Sequence, residues 1–597
     1  MSRRSPARIR CGFILFSMSL QGLFFSAAGY AGERSETVIE AVVHAALGGV
    51  FSDDPMAPHI TINIPAGALS KDAELRVAVK KRPRRVGVNQ TAASPAYKVI
   101  LRQEEDDDDD DGEIALTQPM TIEIAADLTP QHPQLGEIAR QHKKGWRRMT
   151  ANFFRASDNT VVTQTQRTRG QYRVVFRTLQ ARSGPAVERG RALYFNETWG
   201  DEAYWGERFG LHQVLNNVTP ADAVAIGAQV DIRKVPQPIV DVMLSDNFAT
   251  KQAALNDPAT TRALIKADAV IGIRGIFNDP DNPDRMTSAG LTCALCHVTV
   301  TPTSFQLAAD AEPTPLPIGL PVLGPPNTRL DPGLLLSFTP LVQQGSEADK
   351  IGQYQGWGPG RVDPRFFPGN PFDDGVFNPT SIPPNWNFMD LAEQGYTLTW
   401  MGVLRTRPDN DSLASAPECG IDLVLNTNGA WGTANAAIQN IEIGNPLPQE
   451  YLDRLEAAEQ TEPGNVLDAQ DLLDVKAFLE SIVSPAPAAF DETQAEAGWA
   501  LFYGRANCVA CHETAEGTGD QGFFTNIVEN PPQGLLSIGV KTPGLRGLAY
   551  TAPYFHDGSA ATLADVVARY RSADIPEVPG DLSAAEQAAL VEYLKSL

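Results

Sequence analysis

The 597-residue chain is 43% hydrophobic and 20% charged, the balance of a globular protein with several cores rather than of a disordered one. Its 49 basic and 72 acidic residues leave a formal net charge of −23, which excludes nucleic acid and anionic membrane surfaces as natural partners, because both would be repelled. A protein partner is expected to be neutral or basic.

The chain opens with a basic head (Arg3, Arg4, Arg8, Arg10), an apolar run from Cys11 to Phe25 and a small-residue stretch, Ala28-Gly29-Tyr30-Ala31. This reads as a secretory signal over residues 1–31, so the mature product is expected to be periplasmic or otherwise exported. The apolar run is broken by serines and falls short of the roughly 20 residues a spanning helix needs. No later segment is as apolar, so no membrane span is expected once the signal is removed.

Residues 37–180 alternate apolar and polar side chains in short runs: Ile60 to Ile64, Leu75 to Val79, Met120 to Ile124 and Tyr172 to Phe176, separated by Gly, Pro and Asp turns. Period-two alternation between turn signals predicts a β-sandwich. The run Glu104-Glu105 followed by Asp106 to Asp111 has the hard oxygen donors that suit calcium. Unbroken like charges repel and stay extended in water, and the run is read as a solvated loop tip with no site.

From Gly184 the texture changes to helical periodicity interrupted by long Pro/Gly-rich loops. Helices are predicted at Val187 to Phe195 and Leu467 to Val483, the second ending before Pro485-Ala486-Pro487. Residues 184–485 form one predicted domain and residues 488–597 another. The last is compact, with a helix from Thr493 to Tyr503 and a final helix from Ser583 to Leu597.

Each of these two domains carries one Cys-x-x-Cys-His run: Cys293, Cys296 and His297 in the first, Cys508, Cys511 and His512 in the second. The other cysteines are Cys11, inside the signal, and Cys419, read as a lone buried thiol. In such a run the two sulfurs reach the vinyl groups of one porphyrin and the adjacent imidazole becomes the proximal iron ligand. A thioredoxin-like redox pair or half a zinc site would not call for a histidine directly after both pairs. Two covalently bound haem c groups are therefore expected. The fold class is multidomain: an N-terminal β-sandwich followed by two mainly α-helical cytochrome c-type haem domains, the first with large loop-rich insertions.

Two resemblances add to this reading. The stretch from Gly48-Gly49-Val50 through Ile64-Pro65-Ala66-Gly67-Ala68-Leu69 to Pro119-Met120-Thr121-Ile122 resembles the sandwich module of netrin receptors and ankyrins, which implies a spacer or docking role. Lys541-Thr542-Pro543-Gly544-Leu545-Arg546-Gly547-Leu548 and Thr551-Ala552-Pro553-Tyr554-Phe555-His556-Asp557-Gly558, followed by Ala561-Thr562-Leu563, resemble the C-terminal signature of bacterial dihaem cytochrome c peroxidases. The methylamine-utilisation dihaem enzyme shares that signature. It implies that Arg546 belongs to the haem-binding set, and that calcium lies between the haems, held partly by the carbonyls of Thr551 and Pro553.

The peroxidases close the sixth position of this haem with a methionine, and the tryptophan-oxidising relative has a tyrosine there; in this chain the position is Tyr570. No methionine follows Met401. His556 is the competing ligand, and packing on the haem edge is the structural alternative for both residues.

In the first haem domain, Asn378-Pro379-Thr380-Ser381 and Thr399-Trp400-Met401-Gly402 faintly resemble the family stretch with a calcium-contacting asparagine and a tryptophan between the haems. That resemblance makes Trp400 the electron bridge and Glu442 the carboxylate over the peroxide site; a core tryptophan and a surface glutamate are the bland readings. No histidine lies between His297 and His512, so the first iron is expected to rest open unless His212, Met286, Met389 or Met401 caps it.

An open ferric site beside a carboxylate suits peroxide, whose leaving oxygen needs a proton. The leading expectation is a peroxidase-type oxidoreductase using hydrogen peroxide and an electron-donor protein such as a small cytochrome or copper protein. A non-catalytic dihaem electron carrier and a dihaem oxygenase of the rubber-oxygenase type are the alternatives.

Overall fold

The computed structural model describes residues 35–87, 90–103, 114–128, 136–143, 145–177, 183–309, 311–363, 376–388, 469–512, 540–572 and 581–597, with a few short pieces between them. The proposed signal and the acidic run lie outside the described residues.

The alternating segments form a two-layer antiparallel sandwich, as the period-two pattern predicts. Its strands are β1 (Ser35–Val43), β2 (Gly49–Ser52), β3 (Ile60–Ile64), β4 (Ala73–Lys80), β5 (Gln90–Ala92), β6 (Tyr97–Arg102), β7 (Met120–Ala125), β8 (Gly136–His142), β9 (Gly145–Arg148), β10 (Asn152–Arg155), β11 (Thr160–Thr165) and β12 (Arg169–Arg177). One sheet runs β1-β4-β6-β12-β8-β9, with β5 also on β12; the other runs β10-β11-β7-β3-β2. Ile60, Ile62 and Ile64 of β3 and Met120, Ile122 and Ile124 of β7 face Leu75, Val77, Val99, Leu101 and Val174 of the opposite sheet in one core.

Strands β10 and β11 depart from simple alternation. Phe154 and Val161 point into the sandwich core, while their neighbours Phe153 and Val162 are also buried, on the outer face. A strand covered on both faces has no polar side to show.

What covers that outer face is the C-terminal domain. Helix α4 (Glu492–Tyr503) presents Ala495, Trp499 and Phe502 to Phe153 and Val162, in a cluster that continues into α6 (Ala584–Lys595) through Leu590, Tyr593 and Leu594. Asp491 caps α4 by accepting from the Gln494 N–H at 2.9 Å, and Ser583 and Glu586 form a capping box on α6. The two helices cross at Gly498, where a Cβ would lie 2.0 Å from the Ala589 carbonyl oxygen. Helix α5 (Leu563–Ser572) adds Leu563 and Val567 to the same cluster.

Between sandwich and C-terminal domain the chain is less helical than its periodicity suggests. Short helices alternate with two-stranded ladders, among them β13 (Ile273–Ile276) with β14 (Ser288–Leu291). Proline and glycine punctuate this stretch too often for long helices to propagate. Two longer helices, α1 (Pro185–Asn196) and α3 (Ala469–Leu479), pack together. Gly190 of α1 sits against the Asp474 carbonyl, and Arg189 holds the Asp474 carboxylate at 2.6 and 3.0 Å. Among the described residues no helix is long and apolar enough to cross a membrane.

Candidate haem sites

Both Cys-x-x-Cys-His runs fold as tight helical turns that face their histidines inward. In the first, Cys293 precedes the short helix α2 (Ala294–His297). Its outer backbone is held by Asn327, which is 1% exposed: the Asn327 N–H donates to the Cys296 carbonyl at 2.7 Å, and its side-chain amide donates to the carbonyls of Leu295 at 3.3 Å and Gly227 at 2.9 Å. In the second, Asn507 takes a left-handed φ of 50° and opens a 3-10 turn, Cys508–Ala510.

The two histidines share one chemical setting. His297 is buried and its Nδ1 donates to the Pro383 carbonyl at 3.0 Å, which leaves the Nε2 lone pair for a metal. Loss of solvent pulls its pKa down to about 4, opposed by that carbonyl. His512, also buried, is pulled to about 4 by the same cause, and the Pro543 carbonyl opposes the shift, although Nδ1 stops short of a formed hydrogen bond. Both imidazoles are thus neutral at physiological pH, the form that ligates iron. Burial pushes the Cys296 and Cys508 thiols up to about 12, so neither is poised as a free thiolate.

The second run opens onto a cavity with about 1680 Å³ of empty space, part of it continuous with solvent. Cys508, Cys511 and His512 line it together with apolar side chains such as Leu545, Val566, Val567 and Leu594. Its polar lining includes Arg546, Tyr570 and His556, and Thr551, Pro553 and Trp400 also belong to its walls. A flat apolar macrocycle with two carboxylates fits this chemistry: oily walls for the ring, and the Arg546 guanidinium for a carboxylate. Tyr570 is exposed only in part, and its phenol is held neutral well above its ordinary value by burial, with the Cys508 and Cys511 sulfurs adding to the effect.

Fit at the first run rests on another observation. Trp199 packs on the cluster that contains Cys293 and Ala294, takes a left-handed φ of 50°, and has a buried indole N–H with no hydrogen-bond partner. A buried donor without an acceptor is costly, and the carboxylate of a porphyrin is an acceptor that would satisfy it.

The segment from Ser381 to Trp386 runs between the two runs. Ser381, Ile382, Pro383 and Pro384 line the second cavity, while the Pro383 carbonyl is the one that orients His297. Ser381 donates from its N–H to the His556 carbonyl at 2.7 Å and from its Oγ to the Phe555 carbonyl at 3.1 Å. Trp400 donates to the Ser381 carbonyl at 2.8 Å, and Trp386, in the cluster with Cys293, donates to the Arg546 carbonyl at 3.1 Å.

A cytochrome c family profile matches residues 495–597. Methylamine utilization protein MauG of Methylorubrum extorquens is 31% identical over 120 residues, 17% of this chain and 34% of that protein. Cytochrome-c peroxidase IdrP2 of Denitromonas iodatirespirans is 29% identical over 145 residues, 18% of this chain and 40% of its own. Over its C-terminal domain the chain is similar to MauG and to cytochrome-c peroxidases.

The chain spans between a third and two-fifths of the length of these curated relatives. A solved MauG-like protein associated with microbial copper homeostasis shares 26% identity over 22% of this chain and 57% of its own, at a TM-score of 0.18.

The remaining expected site residues fall in three places. Glu442 lies outside the described residues, as do Met389, Met401 and Cys419. His212 donates from its Nδ1 to the Gly206 carbonyl at 2.9 Å, and Met286 is buried in the core around Trp205 and Ile265. Sequence reasoning passed over Pro383, Trp386 and Trp199. Pro383 acts through a backbone carbonyl, which leaves no trace in side-chain chemistry.

Proposed function

We propose that the chain is an exported dihaem c-type cytochrome that works as a peroxidase-type oxidoreductase, with peroxide taken at the haem of Cys293, Cys296 and His297 and electrons supplied through the haem of Cys508, Cys511 and His512. The observation that carries this reading is the double duty of Pro383, whose carbonyl orients His297 while its ring borders the cavity beside His512. A wall shared by the two proposed centres supports electron exchange between them, an arrangement that two unrelated carriers in one chain would not need.

Haem iron, when bound, supplies the centre that activates peroxide and the couple that passes electrons. The protein's own groups do the rest. His297 holds its Nδ1 proton on Pro383, which makes Nε2 a stronger donor. Tyr570 is proposed as the sixth-position group of the second site, with His556 beside it; Trp400, on the wall of that cavity, is proposed as the bridge. Glu442 is the proposed proton donor at the peroxide site. Calcium is proposed near the carbonyls of Thr551 and Pro553. The net charge of −23 favours a neutral or basic electron donor, a small cytochrome or copper protein.

Electron paramagnetic resonance of the purified ferric holoprotein, together with peroxide turnover in the presence of a reduced small cytochrome, tests this reading. A high-spin signal that responds to peroxide, with donor oxidation, is expected. Two low-spin centres inert to peroxide and cyanide would leave an electron carrier.

A further inference from the structure

Among the described residues six non-glycine residues take a left-handed φ, and four of them are Asn159, Asp268, Asn387 and Asn507, whose short polar side chains tolerate it. Phe555, at 67°, is one of the two aromatic exceptions, and it lines the cavity beside Cys508, Cys511 and His512. A bulky side chain stays in that conformation only where its surroundings over-determine it, and such outliers gather at working sites.

Those surroundings come from the other haem domain. Arg361 and Ser381 stand opposite each other in a two-stranded ladder, Arg361–Val362 against Thr380–Ser381. Between them they take three consecutive carbonyls of one turn. The Ser381 Oγ donates to Phe555 at 3.1 Å, the Ser381 N–H to His556 at 2.7 Å, and the Arg361 Nη1 to Asp557 at 3.2 Å. Gly558, with a φ of 67°, closes the turn by donating its N–H to the Phe555 carbonyl at 3.3 Å. A Cβ there would lie 3.3 Å from the Ser381 Oγ and 3.2 Å from the Arg361 Cδ, so the ladder sits flush on the turn. Behind it, the Tyr554 N–H donates to the Ala560 carbonyl at 2.7 Å and ties the ends of the loop.

The held turn bears on both candidate ligands. The Phe555 ring lies 6.0 Å from the Tyr570 ring, centre to centre, and the Arg569 guanidinium lies 5.7 Å from the Phe555 ring centre, so the ring braces the stretch of α5 that carries Tyr570. His556 is the next residue of the turn. A change of φ at Phe555 would therefore move the brace of Tyr570 and the backbone of His556 together. We infer that Ser381 and Arg361 are positioning residues for the second haem. By holding Phe555 left-handed they keep its ring against Tyr570 and the His556 backbone fixed, so that Tyr570 rather than His556 is the side chain offered to the iron. The first haem domain thus selects the ligand of the second. This rests on the reading of Tyr570 as the sixth-position group, and it adds to that reading the groups that orient the ligand from outside.

The experiment records the visible absorption and electron paramagnetic resonance of ferric holoprotein in wild type, Ser381→Ala, Ser381→Ala with His556→Ala, and Phe555→Gly. Wild type is expected to show a phenolate-to-iron charge-transfer band. Ser381→Ala removes the hydroxyl and leaves the backbone bond to His556. It is expected to lose the band and gain the low-spin resonance of an iron held by two imidazoles, and that resonance should vanish when His556 is also Ala. An unaltered band in Ser381→Ala overturns the inference, as does a band lost with no imidazole in its place, or a new resonance that survives the loss of His556. Phe555→Gly takes the left-handed φ without strain but has no ring to brace Tyr570. Loss of the band there supports the inference, a retained band overturns it, and this variant carries the test if Ser381→Ala does not fold. A wild type without the phenolate band overturns the Tyr570 reading itself, whereas a band indifferent to these variants overturns this inference alone.

Discussion

Arg155, the last residue of β10, grips Glu496 of α4 in a forked ion pair, its Nε 2.9 Å from one carboxylate oxygen and its Nη2 on the other. The same guanidinium reaches Glu123 at 3.2 Å and Asp158 at 3.1 Å, and Glu492 receives the backbone N–H of Ser157 at 3.2 Å. The sandwich is thereby fastened to the helix that carries Phe502 to the wall of the haem cavity. Replacing Arg155 with Ala leaves several partly buried carboxylates without their cation, at a cost of about 1–3 kcal/mol. A fall in melting temperature of a few degrees, with the sandwich and haem transitions separating in calorimetry, is expected. A single unshifted transition would show that the pair does not hold the two parts together.

The proposed haem stoichiometry has a direct count. Changing Cys293 and Cys296 to Ala is expected to halve the pyridine haemochrome per chain, and changing Cys508 and Cys511 to do the same. A wild-type value of one haem would refute the two-site assignment.

Tyr570 and His556 line one cavity and compete for the same iron position. Tyr570→Phe is expected to turn the second centre high-spin and raise its potential on the order of 0.1 V, since a phenol that gives up its proton to bind iron is a stronger donor than no ligand. His556→Ala is expected to leave the spin state alone. The opposite pair of results assigns the position to His556.

Gly498→Ala places a methyl group 2.0 Å from the Ala589 carbonyl, a backbone atom that cannot swing aside. The helices must part, and a loss of about 1–3 kcal/mol is expected, read by urea denaturation.

Glu586 is held down to about 2, first by its pairing with Arg505 and then by the Ser583 backbone and hydroxyl. A carboxylate whose folded pKa is depressed adds stability above its unfolded value, about 4.3, and loses it as the pH falls toward the folded value. Melting temperature should therefore drop between about pH 5 and 2 more steeply in wild type than in Glu586→Gln. Parallel curves would refute the contribution.

What the sequence disclosed depended on whether the cause was local. Period-two runs such as Ile60 to Ile64 became core strands because alternation is a property of neighbours along the chain. The helix expected from Thr493 to Tyr503 is α4, one residue longer at its start. The Cys-x-x-Cys-His runs were legible because the proposed covalent attachment requires a fixed spacing. In contrast, the His297–Pro383 contact spans 86 residues and uses a main-chain oxygen, so no pattern announces it. The Asp201 carboxylate likewise takes the Leu291 N–H from 90 residues away, a contact that no local pattern announces. One signal was there to be used: the doublets Phe153-Phe154 and Val161-Val162 break alternation and announce a strand with two dry faces.

Those doublets bear on the order of assembly. The sandwich is made early, but the oily outer face of β10 and β11 waits for α4, whose Glu496 lies 341 residues after Arg155. Until then the half-finished sheet is a sticky surface, hazardous to leave bare in a crowded compartment. The earliest-made part of this region is thus among the last to be completed, and a chaperone or the maturation apparatus has a defined stretch to shield in the interval.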